Sequence, residues 1–439
     1  MKAGFSQVDI TPVMGFMPGN FEAFYALGAH YSLCASAAAF SENGETAIIV
    51  SADVLLIFND RANMIRQKIS EETGVPFDHV MLAATHTHTG PSMEKGFFKC
   101  PAEPEIANVV SKRMIEAGVR AFNDLNDADI SFGITEDRRF CFCRDWISTD
   151  GKNLTNPGYD RSDLERTRAV PDYSINVIKV SREGRIEGII VNYANHPDTV
   201  FSKDRVKFSP DYPGYIRKEL QEQYGNDVKI VFLNGACGDI NDRDYASKTD
   251  LTSWRHPDSN PPEGIGKGIA EKVSALVNDM SSNDIPLNVN AANKVLTLKR
   301  RQILDYELEW AKKVMSKLES TYMHPWAWCT AKIYLEESVD LPKTEAFEIM
   351  AIKLGNWALV ALPGEIYTEL GRSIKNASPF ENTLIVGLAN GYQGYVIPDD
   401  MRANGSYEGR FSSGTTGEGS FDAVIDGALD LLNCLANKE

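Results

Sequence analysis

Residues 80–91 of this chain read VMLAATHTHTGP, an apolar run that ends in two histidines, a glycine and a proline. The apolar part is typical of a buried β-strand, and Gly90-Pro91 would stop that strand. On an extended strand, His86 and His88 would point to the same face, so both imidazoles could serve one site. Because ligands of open α/β sheets bind beyond the carboxyl ends of strands, the stretch predicts a functional site there. A buried structural pair of histidines is the alternative.

Four further apolar runs end in the same way, in polar side chains next to a glycine or a proline. They are residues 188–198 (GIIVNYANHPD), 229–242 (KIVFLNGACGDIND), 357–365 (WALVALPGE) and 383–395 (TLIVGLANGYQGY). Taken singly, a histidine before proline is typical of a loop, and a glutamate at the start of a helix neutralises the helix dipole. Five endings of this kind favour a shared site, because only a few folds bring five strand ends together.

Strand-like runs alternate along the chain with amphipathic helical stretches. The strands are predicted at 46–56, 80–84, 186–193, 229–233, 351–362 and 384–388, and the helices at 59–72, 265–280, 304–318 and 421–435. This alternation predicts an α/β fold in which a layered, mixed β-sheet core is flanked by helices, as a single domain over residues 1–439. Residues 150–171 and 253–268 carry prolines and glycines and are predicted to be long surface loops.

Composition narrows the classes of partner. The 439-residue chain has a formal net charge of −16 and a sequence pI near 5.0, which argues against nucleic acids and anionic membrane surfaces as partners. The sequence has no apolar run long enough for a transmembrane segment. An odd number of cysteines, seven, and a start without an apolar leader indicate a cytoplasmic protein, or a secreted one if a leader was removed. The oligomeric state is not predicted.

Imidazole and carboxylate side chains at these strand ends suit a catalytic Zn²⁺, which commonly takes three protein ligands and keeps one position open. Cysteine ligands are not expected, because the seven cysteines form no Cys-x-x-Cys pair. No Gly-x-Ser-x-Gly segment is present, which argues against a serine hydrolase. Residue types alone therefore leave a His/His/Glu metal centre and a set of structural residues both open.

Residues 84–91, ATHTHTGP, resemble the Thr-His-Thr-His-Ser-Gly-Pro segment of the neutral (non-lysosomal) ceramidase family. Other segments resemble that family in the same order along the chain: 28–37, 192–200, 211–215, 238–241, 363–365, 388–395 and 407–409. The resemblance covers nearly the whole chain and implies the fold of the family's catalytic domain. Because the chain ends soon after the helical stretch 421–435, we expect no carboxyl-terminal immunoglobulin-like domain, which known members carry.

The resemblance also implies roles for individual residues. It implies that zinc is bound by four side chains, those of His86, His196, Glu365 and Tyr395. His88 would lie beside the metal and stabilise an oxyanion or shuttle a proton, and Arg144 would hold polar groups of the substrate. Asp198 and Asp239 are predicted to orient the zinc-binding histidines through hydrogen bonds.

The chain departs from the family at one position. After Gly-Asp the family reads Val-Ser-Pro-Asn, whereas residues 238–243 read GDINDR and place Asn241 where the serine would be. An amide cannot act as a nucleophile or as a general acid or base, but it can donate a hydrogen bond. The departure leaves zinc binding intact and puts ceramide cleavage in question.

These observations predict a zinc-dependent hydrolase that cleaves an amide bond of a small or lipid-like N-acyl substrate, in the manner of a ceramidase, through a metal-activated water. One alternative is a metal hydrolase of the same scaffold that acts on a different amide or on an ester. The other is a non-catalytic binding protein that lost the family's serine at position 241.

Overall fold

Three β-sheets, each with antiparallel strands and one parallel pair, form the framework of the protein. The computed structural model describes residues 1–19, 24–93, 100–200, 206–246, 261–281, 288–316, 325–403 and 406–438. The strands are β1 (Lys2–Asp9), β2 (Met14–Met17), β3 (Phe24–Leu27), β4 (Cys34–Glu42), β5 (Glu45–Ala52), β6 (Val80–Ala84), β7 (Asn126–Asp127), β8 (Asp129–Glu136), β9 (Phe142–Cys143), β10 (Asp145–Ser148), β11 (Asn153–Thr155), β12 (Leu164–Thr167), β13 (Ser174–Arg182), β14 (Arg185–Tyr193), β15 (Lys229–Asn234), β16 (Ile240–Asn241), β17 (Val289–Lys299), β18 (Thr344–Leu354), β19 (Trp357–Ala361), β20 (Glu365–Ile366), β21 (Asn382–Val386) and β22 (Tyr395–Val396). The helices are α1 (Asn59–Thr73), α2 (Pro104–Asn123), α3 (Asp211–Tyr224), α4 (Pro261–Asp279), α5 (Asp305–Ser316), α6 (Pro325–Glu337), α7 (Thr368–Ala377), α8 (Asp399–Ala403) and α9 (Ser420–Ala436).

Each large sheet has its own strand order. The first sheet runs β6-β5-β4-β1-β7, the second β15-β14-β13-β8, and the third β17-β18-β19-β21. The described residues also form four smaller sheets, β11-β10-β12, β9-β16, β2-β3 and β20-β22. In the three large sheets the parallel pairs are β5 with β6, β14 with β15, and β19 with β21, so the two strands of each pair end at the same edge of their sheet.

The inner faces of the three sheets meet in one buried cluster, to which Phe40, Ile190 and Leu359 each contribute from a different sheet. Helices cover the outer faces: α1 and α2 the first sheet, α3 and α4 the second, α7 and α9 the third. Both faces of a strand such as β5 are therefore buried, which explains why its sequence is a continuous apolar run rather than an alternating one.

Buried asparagines connect the sheets near their carboxyl edges. The Asn192 amide donates to the carbonyl of Ile385 at 2.9 Å and so joins the second sheet to the third. Asn390 joins the third sheet to the first, because its Oδ1 accepts from Leu82 N at 2.9 Å and its own N–H donates to Leu82 O at 2.7 Å. Unpaired amides inside a protein are costly, so these bonds hold the sheets in one arrangement.

The predicted fold class, a layered α/β fold with mixed sheets and flanking helices, is confirmed. The strand predicted at 80–84 is confirmed with the same bounds, and those at 186–193 and 229–233 agree within one residue. The single strand predicted over 351–362 is wrong. It is the hairpin of β18 and β19, because Gly355 adopts a positive φ of 62° and turns the chain at Gly355-Asn356.

Two predicted loops are also corrected. Residues 150–171 contain β11 and β12, which pair with β10 on both sides. Residues 253–268 are helical from Pro261 onward, where α4 begins; residues 253–260 lie outside the described part of the chain. Among the described residues, no helix combines the length and the apolar character needed to cross a bilayer.

Candidate metal centre and active site

Each of the three large sheets contributes one residue to a cluster of two histidines and one glutamate. His86 follows β6 of the first sheet, His196 follows β14 of the second, and Glu365 follows β19 of the third. All three side chains are buried. The prediction that these strand ends meet is therefore correct, and it is the assembly of sheets that brings them together.

The three side chains lie within direct contact distance of one another. His86 Nε2 is 3.2 Å from His196 Nε2. Glu365 Oε2 is 3.4 Å from His86 Nε2 and 3.3 Å from His196 Nε2. No protein donor hydrogen-bonds Glu365 Oε2 in the described part of the chain, although the atom is buried. Burial raises the pKa of Glu365, whereas positive charge on the His86 and His196 rings, when these are protonated, lowers that pKa well below its usual range.

Backbone carbonyls determine which nitrogen of each imidazole faces the cluster. His86 Nδ1 lies 2.8 Å from Leu55 O, and His196 Nδ1 lies 3.1 Å from Cys237 O. A carbonyl only accepts, so each Nδ1 carries a hydrogen, and in the neutral form of the ring each Nε2 then presents a lone pair. Burial and the nearby Arg144 guanidinium lower the pKa of His196, which favours this neutral form. Two lone pairs 3.2 Å apart repel each other unless a cation or a proton lies between them.

The predicted roles of Asp198 and Asp239 behind the histidines are wrong, since the Nδ1 atoms bond to carbonyls instead. Asp239 Oδ1 accepts from Thr368 N at 2.8 Å, and Asp198 lies 3.8 Å from the Arg243 guanidinium. Backbone carbonyls can orient metal-binding histidines as carboxylates do. A sequence pattern does not reveal them, because every residue has one.

His88 lies beside His86 as predicted, but the backbone between them is not the predicted extended strand. Strand β6 ends at Ala84, and His86 adopts a left-handed φ of 75°, so a turn and not strand alternation orients the two rings. The His86 and His88 ring centroids lie 4.9 Å apart. His88 Nδ1 bonds to Gly19 O at 2.6 Å. One ligand atom from each of His86, His88 and His196 lies within 4.8 Å of the others, so the three histidines could hold a metal ion.

One buried asparagine holds both histidine-bearing loops. Asn234, the last residue of β15, donates from Nδ2 to Thr85 O at 3.1 Å and to Asn195 O at 3.0 Å. Thr85 and Asn195 are the residues immediately before His86 and His196. The Asn234 side chain thus fixes the backbone from which the two imidazoles project.

A close backbone approach places Glu365 beside Tyr395. Strand β20 pairs with β22 in parallel, with Glu365 opposite Tyr395. A Cβ atom on Gly364 would overlap the carbonyl oxygen of Gly394, so only glycine permits this approach. Glu365 Oε1 accepts a hydrogen bond from the Tyr392 hydroxyl at 2.7 Å. Sequence reasoning passed over Tyr392, and its place three residues before Tyr395 is the only signal that could have identified it.

Arg144, which the resemblance assigns to substrate binding, lies beside Tyr395. Its Nη2 is 3.0 Å from the Tyr395 hydroxyl and 2.9 Å from Glu408 Oε1, and all three side chains are buried. Burial raises the pKa of Tyr395, and the Arg144 guanidinium opposes part of that effect. Arg144 Nε is buried and has no partner among the described residues. Glu408, which anchors the guanidinium, was not identified from the sequence because its partner lies 264 residues away.

These residues line one cavity of about 410 Å³. Six of the predicted site residues surround it, namely His86, His88, Arg144, His196, Glu365 and Tyr395. Asn241, the seventh, is buried and is not among the described residues that line the cavity. Its Nδ2 donates to Oδ1 of Asn156, which does line it.

Comparison with known proteins finds the same fold in solved structures. No protein-family model and no curated protein sequence matches the chain. The solved structure of neutral ceramidase from Pseudomonas aeruginosa matches with a TM-score of 0.74 at 19% identity, over 99% of this chain and 74% of that one. A ceramidase complexed with C2 matches with a TM-score of 0.73 at 18% identity, over 99% and 75% of the two chains. The chain therefore has a neutral ceramidase-like fold.

Proposed function

We propose that the protein is a zinc-dependent hydrolase that cleaves the amide bond of N-acyl compounds, as a ceramidase does. The observation that carries this proposal is the contact of two imidazole Nε2 atoms and one carboxylate oxygen, 3.2 to 3.4 Å apart, in a buried site. Each Nε2 presents a lone pair, and the carboxylate oxygen has no protein donor in the described part of the chain. Three acceptors this close together repel one another unless a proton or a cation lies between them, and a cation shared by all three satisfies the whole set.

The donor set fits zinc. Two neutral imidazoles and one carboxylate are the ligands of many catalytic Zn²⁺ sites, and the buried cluster carries about one negative charge for the ion to offset. His86, His196 and Glu365 would hold the metal, and Tyr395 would add its phenol oxygen. The Arg144 guanidinium beside the Tyr395 hydroxyl favours the ionised phenol that a fourth ligand requires.

The remaining residues would act on the substrate. A bound zinc ion supplies Lewis acidity to the amide carbonyl and to a water. Arg144 is anchored by Glu408 and has a buried Nε–H without a described partner, so it can donate to an oxygen of the substrate. His88 is oriented through Nδ1 by Gly19 O, and its other ring nitrogen can accept a proton and deliver it to the leaving amine.

Metal content and turnover together test the proposal. Purified wild-type protein is expected to hold zinc near one equivalent by plasma mass spectrometry and to hydrolyse at least one member of a panel of ceramides, other N-acyl amides and esters. Glu365→Ala and His86→Ala are expected to lose both properties. His79→Ala is a matched control, because His79 also bonds a carbonyl through Nδ1 (Thr46 O, 3.0 Å) but lies outside the cavity.

Two outcomes would count against the proposal. Wild-type protein without tightly held metal would refute the metal centre. Zinc-loaded protein that cleaves no amide would refute the amide hydrolase, and turnover of esters alone would move the assignment to an esterase on the same scaffold.

A further inference from the structure

A chain of hydrogen bonds connects Asn241 to the cavity and fixes the orientation of two amide groups. Arg243 N–H donates to Asn241 Oδ1 at 3.0 Å. A backbone N–H can only donate, so the atom it meets must be the oxygen of the amide. Asn241 therefore presents Nδ2 in the other direction, where it donates to Asn156 Oδ1 at 2.7 Å.

The Asn156 amide is fixed in turn. Its Oδ1 accepts from Asn241 Nδ2 and also from the Tyr245 hydroxyl at 3.0 Å. The reversed orientation would set the Asn156 NH₂ group against the NH₂ group of Asn241, donor against donor. Asn241 and Tyr245 are buried, whereas Asn156 is exposed and lines the cavity.

A main-chain hydrogen bond also fixes the backbone of Asn156 beside Arg144. Asn156 adopts a left-handed φ of 49°, and its N–H donates to Arg144 O at 2.9 Å. No acceptor for Asn156 Nδ2 occurs in the part of the chain that the structure describes. An oriented NH₂ group without a protein acceptor thus lies on the wall of the cavity that contains the three histidines.

We propose that Asn156 Nδ2 donates a hydrogen bond to an oxygen of the bound N-acyl substrate, and that Asn241 and Tyr245 are positioning residues that aim it. This inference rests on the proposed amide hydrolase function. It also gives a role to Asn241, the position at which the chain departs from the ceramidase pattern. Asn241 does not contact the substrate, but it determines which end of the Asn156 amide faces the substrate. Substrates with an oxygen that accepts the hydrogen bond from Asn156 Nδ2 would be preferred over analogues without that oxygen.

Steady-state kinetics on zinc-loaded protein test the inference, with an N-acetylated sphingoid base as the probe. Asn156→Ala removes the donor and is expected to lower kcat/KM about tenfold, mainly through KM. Asn241→Asp keeps the acceptor for Arg243 N–H but turns an oxygen toward Asn156. Asn156 then has to rotate and present Oδ1 to the substrate, so we expect a loss on the order of tenfold or more.

Non-additivity separates positioning from a general structural effect. Asn241→Asp should cost little further activity in an Asn156→Ala background, because the amide it reorients is gone. Tyr245→Phe removes only one of two bonds and is expected to lower kcat/KM about threefold, with unchanged zinc content. Asn376→Ala, an exposed asparagine on α7, serves as the matched control.

The outcomes are distinguishable. If wild-type protein turns over the probe and Asn156→Ala stays within twofold of it, the inference is overturned while the proposed function stands. Full additivity of the two asparagine variants overturns the positioning role. If wild-type protein cleaves no amide, the proposed function fails and the inference falls with it. Asn156→Ala changes an exposed side chain, so its test does not depend on Asn241 variants folding.

Discussion

Replacing Asn234 by alanine should weaken both the fold and the proposed metal centre. The side chain is fully buried and donates to Thr85 O and Asn195 O at 3.1 and 3.0 Å. Each of the two lost bonds costs about 1 kcal/mol, and Thr85 O, left buried without this donor, costs about 1–3 kcal/mol more. Asn195 O keeps the Tyr212 hydroxyl as a donor at 2.9 Å, so we expect a loss of about 3–5 kcal/mol in total. Because the two carbonyls precede His86 and His196, the imidazoles lose their fixed backbone. We expect zinc affinity to fall about 10- to 100-fold, as for other residues that orient metal ligands.

The two effects of Asn234→Ala need separate assays. Urea unfolding in the presence of a chelator measures the free energy of unfolding without a contribution from bound metal. Competition with a chromophoric chelator measures zinc affinity under native conditions. Asn376→Ala should stay within about 0.5 kcal/mol of wild type and keep its zinc affinity. If Asn234→Ala left both quantities unchanged, the assignment of this side chain as the support of both histidine loops would be refuted.

Two further predictions concern Asp211 and Tyr392. Burial raises the pKa of Asp211 from 3.8 to about 6, so the folded state keeps a proton that the unfolded chain releases. The protonated carboxyl therefore contributes its stability below about pH 4, and this contribution is lost as the pH rises through about 6. The difference in the free energy of unfolding between wild type and Asp211→Asn should fall by about 2 kcal/mol between about pH 4 and 7. Urea titrations of both proteins from pH 4 to 7 check this, and a constant difference would contradict it. Tyr392→Phe removes the donor to Glu365 Oε1 and should weaken zinc binding about tenfold in the chelator competition; unchanged affinity would show that Tyr392 does not support the centre.

The sequence predicts where the buried strands end, and these ends carry the candidate site residues. Buried parallel strands are continuous apolar runs, and a glycine or proline marks where each one stops, so the positions of His86, His196 and Glu365 follow from local pattern. The resemblance to ceramidases added Tyr395 and Arg144, which no local pattern distinguishes from ordinary packing residues. All five line one cavity.

What the sequence did not predict depends on contacts between distant segments. The orientation of the His86 ring and of the His196 ring comes from a main-chain carbonyl, which carries no sequence signal. Asn192 and Asn234 lie at strand ends like the site residues, yet their amides join sheets and loops. The contact of Asn241 with Asn156 spans 85 residues. The sequence predicts one strand where the hairpin at Gly355 lies, because apolar residues flank the turn on both sides.

The division of the cluster among three sheets has a consequence for folding. His86, His196 and Glu365 each come from a different sheet, so a species in which one sheet has not docked lacks a complete set of ligands. A metal ion held by all three adds its binding free energy to the fully assembled protein and to no earlier intermediate. If the proposed centre binds zinc, metal uptake during refolding reports when all three sheets have docked, and a chelator removes the free energy that the ion adds to the assembled protein.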